Sequence, residues 1–423
     1  MTDTKIFETR ESEARSYCRG FPTVFKAARG SELIGENGTD YIDFLAGCAS
    51  LNYGHNDPDM KAALIDYINA DGVTHGLDMF TSAKADFLEA FDKIILGPRN
   101  MDHRIMFCGP TGTNAVEAAL KLARKVKGRT NVVSFTNGFH GVTMGALAAT
   151  GNQHHRMGPE NMTHGVTPVP YDNYADGVES LKLLEKMLDD PSSGLDQPAA
   201  IIMETVQGEG GLNAASAEFI KGVAALAKKH DAIFIVDDIQ AGCGRTGTFF
   251  SFEEMGVVPD MITMAKSLSG MGLPFAAVLI RPEYDDWEPA EHNGTFRGNN
   301  HAFVTARVAL EKFWADDAFQ KDIARRGQMV HDALKAMQDK LPGSTLRGRG
   351  MIQGINVVSG ELASDICRRC FESGLIIETS GANDEVVKIL APLTTPDELL
   401  EKGLGILASA FDAAINDKAH AAE

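Results

Sequence analysis

Lys266 lies in the run Thr263-Met264-Ala265-Lys266-Ser267-Leu268-Ser269-Gly270-Met271-Gly272, downstream of an apolar stretch, Ala232-Ile233-Phe234-Ile235-Val236, that ends in Asp237-Asp238. A lysine amine can form a Schiff base with an aldehyde. A carboxylate at the end of a buried strand can keep a pyridine nitrogen protonated, so that the ring accepts electrons from a carbanion. Together the two residues fit the chemistry of pyridoxal phosphate.

Such a cofactor needs a phosphate site. Arg104-Ile105-Met106-Phe107-Cys108 runs into Gly109-Pro110-Thr111-Gly112-Thr113-Asn114 and then into an alanine-rich helical pattern from Ala115. Small residues with free backbone N–H groups at a helix start suit a phosphate, although ordinary capping by Thr113 or Asn114 explains the same residues when they are taken alone. Asn137-Gly138-Phe139-His140-Gly141 offers a ring between glycines where a planar group could stack, and equally an ordinary packing contact. Gly242-Cys243-Gly244-Arg245-Thr246-Gly247 matches the dinucleotide fingerprint in letters only. That fingerprint opens a helix directly after its strand, whereas here Asp237, Asp238, Ile239 and Gln240 intervene and the following residues lack a helical period.

The elements that must position these residues alternate. Apolar runs at 131–135, 199–204, 232–237, 260–264 and 275–280 predict buried parallel strands. Amphipathic stretches at 115–127, 177–188 and 217–229 predict helices on both faces of that sheet, so the fold class is α/β. Near residue 315 the pattern changes to a long helix over 319–341, strands around 351–357 and 385–390, and a closing helix over 396–416, a second and smaller α+β domain.

With 423 residues the chain suits two domains and a sizeable core. Its formal charge of −18 and the lack of a basic stripe argue against nucleic acid. A polar N-terminus and short apolar runs predict a cytoplasmic protein with no membrane association. The six cysteines, without a secretory signal, are expected to be thiols. The one close pair, Cys367 and Cys370, has no second pair to complete a zinc site and reads as part of a helix over 363–373, so no metal is expected.

The run Asp237-Asp238-Ile239-Gln240-Ala241-Gly242-Cys243-Gly244-Arg245-Thr246-Gly247, followed by Ala265-Lys266-Ser267, resembles the signature of the class III, or omega, aminotransferases of pyridoxal-phosphate fold type I. The likeness runs nearly end to end. Thr111-Gly112-Thr113-Asn114-Ala115 resembles the family's phosphate loop, Phe139-His140-Gly141 its stacking motif, and Glu204-Thr205-Val206-Gln207-Gly208-Glu209-Gly210-Gly211 its substrate-side loop. The resemblance implies a large domain over 51–315 with a mostly parallel sheet, and a small α+β domain over 316–423 joined by the N-terminal segment 1–50.

It also implies roles. Lys266 would hold the cofactor and carry the proton, and Asp237 would pair with the ring nitrogen. Gln240 would bond the ring hydroxyl, Ile239 and Phe139 would cover its two faces with His140 beside them, and Gly112 and Thr113 would donate to the phosphate. Thr295 would reach the phosphate of a neighbouring subunit, which implies a homodimer or a dimer-based higher oligomer. A monovalent cation such as potassium stays open as a second cofactor.

Ile6-Phe7-Glu8-Thr9, Arg15-Ser16-Tyr17-Cys18-Arg19, Asp43-Phe44-Leu45-Ala46-Gly47, Leu51-Asn52-Tyr53-Gly54-His55-Asn56 and the aspartate at Asp238 resemble the branch of the family that opens ectoine synthesis. That branch moves an amino group from L-glutamate to L-aspartate 4-semialdehyde, giving L-2,4-diaminobutyrate and 2-oxoglutarate. Other omega-amines (ornithine, acetylornithine, 4-aminobutyrate), a semialdehyde aminomutase and an inactive scaffold remain as alternatives. In ornithine-type relatives an arginine grips a substrate carboxylate and swaps partners with the glutamate matched by Glu209. Here Lys388 stands at that place, and a lysine cannot make the planar two-bond clamp. Three readings of Lys388 stay open: a partner of Glu209, a grip on substrate, or a surface lysine.

Overall fold

The computed structural model describes residues 4–158 and 163–422; the outermost residues of the expected terminal segments, 1–3 and 423, lie outside them. A seven-stranded sheet forms the centre, in the order Arg104–Phe107, Ala277–Ile280, Met261–Met264, Ile233–Asp237, Ala200–Met203, Val132–Phe135, Val166–Val169. Alternate residues of each strand feed two cores, because successive side chains point to opposite faces. Ile233 and Ile235 join Val132, Ile202 and Val278 beside the helix Gly112–Lys127. Phe234 and Val236 join Val133, Ile201 and Leu279 beside the helix Ala217–Lys229. By the same alternation Asp237 points to the Gly112–Lys127 side and Asp238 to the other.

One expectation fails. The sequence pattern groups 275–280 with the parallel strands, yet Ala277–Ile280 runs antiparallel to both its neighbours. A continuous apolar run reports burial on both faces and not direction. The connection from Met261–Met264 contains only the short turn Lys266–Ser269 and no crossover helix, which a parallel return normally uses. The helix Asn300–Phe313, capped by Asn299 through bonds from His301 N and Ala302 N, is absent from the sequence reading.

After the helix Ala318–Gln338 comes an antiparallel sheet, in the order Thr345–Arg349, Ile352–Asn356, Val386–Ile389, Glu378–Ser380. The chain ends in the helix Asp397–Ala422. A third sheet joins the two ends of the sequence, since Ile42 and Asp43 pair in parallel with Leu375 and Ile376. Cys367 and Cys370 lie as free thiols in the helix Gly360–Glu372. No helix among the described residues is long and apolar enough to cross a membrane.

The glycine-rich segment after Asp237 is a crossing point rather than a nucleotide loop. Gly244 has φ +97°, and a Cβ there would meet Leu393 Cδ1 at 2.7 Å. Arg245 is fully buried; its Nε donates to Asn52 Oδ1 (2.7 Å) and its Nη1 to the carbonyls of Ala391 (2.5 Å) and Met351 (3.3 Å). Burial pulls its guanidinium down to about 9. Arg245→Met is expected to lower stability by at least ~3 kcal/mol, because several buried acceptors lose their donor at once. Denaturant unfolding checks this, and a loss below ~1 kcal/mol would show that the crossing point does not depend on the guanidinium.

Candidate active site

The C-terminal ends of the central strands open onto a cavity of about 550 Å³. Asp237 ends the strand Ile233–Asp237 and is 3% exposed. Its register partner on the adjacent strand is Thr263, whose Oγ1 donates to Asp237 Oδ1 at 3.0 Å; Ile239 N donates to the same oxygen at 3.3 Å. His140 Nδ1 stands 2.7 Å from Oδ2. Both carboxylate oxygens are thus held, and the side chain is aimed before any ligand arrives. Asp238 turns away to Ser251, which donates through Oγ and N, and burial pushes its carboxyl up to about 7.

Lys266 follows the strand Met261–Met264 with φ +52°, a left-handed conformation that a non-glycine residue adopts at a cost. The next residue pins this turn: Ser267 Oγ donates to Ala49 O at 2.7 Å and accepts from Asn52 N at 2.9 Å. The segment that Ser267 grips is strained as well, with Ala46, Gly47, Cys48 and Ala49 all at positive φ between 47° and 67°. Successive left-handed residues persist only where surrounding structure imposes them, a pattern that clusters at functional sites.

The helix Gly112–Lys127 starts at the same cavity. Its N-cap, Thr111, makes no side-chain cap bond and instead donates to Asn114 Oδ1 (2.8 Å), so the first N–H groups stay open at the positive end of the helix. Gly112 leaves room there: a Cβ would meet Ile239 Cδ1 at 2.9 Å. Phe139, His140, Asp237, Ile239, Gln240, Lys266, Gly112, Thr113 and Glu209 all line this one cavity, although they come from distant parts of the sequence.

Two expected residues lie elsewhere. Thr295 is exposed and does not line the cavity. Lys388 is not a surface lysine: its side chain is fully buried behind Glu209, with Nζ 3.1 Å from Glu209 Oε1 and 2.8 Å from Glu378 Oε1. Gln240 Nε2 also donates to Glu209 Oε1, at 2.9 Å. Burial would raise Glu209, but the charges of Lys388 and Lys266 and the bond from Gln240 outweigh it and hold the carboxyl at about 2.

Four contributors escape the sequence reading: Thr263, the bond from His140 to Asp237, Glu378 and Glu204. The carboxyl of Glu204 is pushed well above the usual range by burial and then by the charge of Asp237, and its Oε1 accepts from Phe139 N. Thr263 alone had a legible signal, since it occupies the strand next to Asp237 in the pattern.

Glu204 Oε2 and Gln240 Oε1 are buried without a hydrogen-bond partner. Orphaned polar atoms on the cavity wall, an open helix start, a buried carboxylate and a lysine fit pyridoxal phosphate, whose ring hydroxyl, phosphate, nitrogen and aldehyde need those four partners. His140, Glu204 and Asp237 also place ligand atoms within 4.8 Å of one another. Within that group His140 is bonded to Asp237 Oδ2, while Glu204 Oε1 accepts from Phe139 N.

Residues 14–411 match the family model described as aminotransferase class-III. The chain is 57% identical over 404 residues to the diaminobutyrate--2-oxoglutarate transaminase of Vibrio cholerae (95% of this chain, 98% of that one). It is 53% identical over 410 residues to the transaminase of the same name from Halomonas elongata (96% and 97%). Among solved structures, the ornithine aminotransferase from Toxoplasma gondii ME49 superposes with a TM-score of 0.85 at 27% identity, covering 99% of this chain and 97% of that one. An aminotransferase of Bacillus anthracis superposes with a TM-score of 0.86 at 25% identity, covering 97% of each chain. With a lysine and a buried carboxylate on one cavity, a fold of type I and a family match along almost its whole length, this chain belongs to the class III pyridoxal-phosphate-dependent aminotransferases.

Proposed function

We propose that the protein transfers the amino group of L-glutamate to L-aspartate 4-semialdehyde, giving L-2,4-diaminobutyrate and 2-oxoglutarate, reversibly and as a step of ectoine synthesis. The observation that carries this reading is a cavity with Lys266 and an ionised Glu209 on its wall, in a chain whose relatives of 53–57% identity bear the name of that reaction. When bound, pyridoxal phosphate supplies an aldehyde and an electron-withdrawing ring.

The chain supplies the rest. Lys266 would hold the aldehyde, and its Nζ, free when a substrate amine is bound, would be the group that moves the proton at the amine-bearing carbon. Asp237, fixed by His140 and Thr263, keeps the ring nitrogen cationic. With the cofactor bound, Phe139 and Ile239 would cover the ring faces, Gln240 would bond its hydroxyl, and the N–H groups of Gly112 and Thr113 would take the phosphate. Glu209 faces the substrate, and Lys388 is the cation that meets the far carboxylate of glutamate when Glu209 turns aside.

The small domain comprises 316–423 with the segment 1–50, and 51–315 forms the large one; the pairing of Ile42 with Leu375 supports that division. The protein acts as a dimer, or a larger assembly of dimers, in which Thr295 serves the neighbouring site. In support, exposed Leu77, Met79 and Phe80 share a surface with exposed Phe296, the two segments being tied by Arg297 and Asp78. An exposed apolar patch of this kind supports that reading.

With 2-oxoglutarate as acceptor, glutamate formation from 2,4-diaminobutyrate is expected to exceed that from 4-aminobutyrate by about tenfold or more in kcat/KM, the scale of one charge-assisted contact, and that from ornithine by about tenfold, the scale of one methylene. A higher value for either competitor overturns the substrate assignment. Transfer between two separate substrates excludes an aminomutase.

A further inference from the structure

One buried lysine is shared by two carboxylates. Glu378 and Lys388 are direct cross-strand partners of the strands Glu378–Ser380 and Val386–Ile389, so backbone register sets their pairing. Lys388 Nζ lies 2.8 Å from Glu378 Oε1 and 3.1 Å from Glu209 Oε1, with no exposure of the lysine side chain. Glu209 lines the cavity and is one-third exposed; Lys388 and Glu378 do not line it.

With Glu209 alone, Lys388 would form a neutral pair, and the cavity wall would carry no charge from it. With Glu378 added, one ammonium serves two carboxyl groups: burial pushes Glu378 up and the charge of Lys388 pulls it back, and with Glu378 ionised the set carries one negative charge in excess. The bonds from Gln240 and Lys388 both fall on Glu209 Oε1. The excess therefore shows where the set meets the cavity, at Glu209.

Lys266 offsets it only while its amine is free, and the nearer neighbours do not cancel it. Tyr17 Oη and Cys48 Sγ stand 2.7 Å apart beside Glu378, and burial together with the charge of Glu378 pushes both groups up, so both are neutral near pH 7. No arginine lines the cavity among the described residues, and Lys266, its one lysine, is committed to the aldehyde.

We infer that Glu378 is a specificity-determining residue: by sharing Lys388 it leaves Glu209 with uncompensated charge, which selects a substrate carrying an ammonium group remote from the amine that reacts. The inference rests on the proposed use of 2,4-diaminobutyrate, whose 2-ammonium is remote from the reacting 4-amine. Glu378 acts through Lys388 and touches no substrate itself.

The test compares 2,4-diaminobutyrate with 4-aminobutyrate, which lacks only the 2-amino group. Each half-reaction is followed by loss of the visible absorbance of the bound cofactor in the holoenzyme, and the ratio of the two kcat/KM values is the readout. E378Q keeps the shape and removes the charge, and is expected to lower the preference for 2,4-diaminobutyrate about tenfold, the worth of one charge-assisted contact. Should that variant fail to load cofactor, Glu378→Thr is a second neutral replacement suited to a strand, with the same expected loss. A merely structural role would lower both rates together, and an unchanged ratio in a cofactor-loaded variant overturns the inference. A wild-type enzyme with no preference for 2,4-diaminobutyrate would instead sink the substrate reading itself.

Discussion

A Lys266→Ala variant is expected to lose steady-state turnover by about 10³-fold or more, because proton transfer by a positioned side chain alone contributes ~10²–10⁴-fold and the covalent anchor is lost with it. Folding should survive. The left-handed turn at φ +52° is held by Ser267, Ala49 and Asn52, none of which involves the lysine side chain, and alanine in the same conformation adds no further clash. Two measurements check the assignment: kcat of the variant with 2,4-diaminobutyrate and 2-oxoglutarate, and borohydride reduction of the wild-type holoenzyme followed by peptide mapping. A tag on any residue other than Lys266, or an alanine variant within tenfold of wild type, would remove the lysine from the chemistry. Intact near-ultraviolet dichroism in the variant separates a chemical defect from a folding one.

What could be seen in the sequence was local. Strands at 232–237 and 260–264 announce themselves because both of their faces are buried and their residues are therefore continuously apolar. The residues at their ends stand out as the polar groups that burial does not explain. Direction is not local, and so 275–280 was legible as a strand while its antiparallel course was not. The N-terminal sheet over Phe25–Asp43 was missed because its strands are only four or five residues long and their burial patterns show no clean alternation to read.

The gaps in the site have the same origin. His140 reaches Asp237 across 97 positions, and Glu378 reaches Lys388 through a cross-strand register that no spacing rule displays. Lys388 was visible as a departure from an arginine pattern. Its burial between two carboxylates was not, since an alternating Val387-Lys388-Ile389 run is equally compatible with an outward-facing lysine. The adjacent pair Asp237-Asp238 is the converse case: two like residues in sequence become unlike in space, one facing the cavity and one bonded to Ser251, because a strand turns successive side chains to opposite faces.

Replacing Asp237 with asparagine is expected to cost about 10²–10³-fold in kcat, the scale of removing one preorganised electrostatic partner from a dry site. The substitution is nearly isosteric and the local bonds tolerate it. The amide oxygen still accepts from Thr263 Oγ1 and Ile239 N, and the amide nitrogen meets His140 Nδ1, a ring nitrogen whose donor or acceptor role follows its tautomer. What disappears is the negative charge, and with it the preference for a protonated ring nitrogen. The neighbouring Glu204 does not replace it, since burial and then the charge of Asp237 push that carboxyl well above the usual range, towards its neutral form. Removing the charge of Asp237 lets Glu204 ionise more readily, so part of the lost activity is expected to return as pH rises in the asparagine variant and not in wild type. Half-reaction rates across a pH series, with cofactor occupancy followed by absorbance, read both effects. A loss below threefold at neutral pH would mean that the ring nitrogen needs no anionic partner. A loss of the expected size with no recovery at high pH would keep Asp237 in its role and take Glu204 out of the circuit.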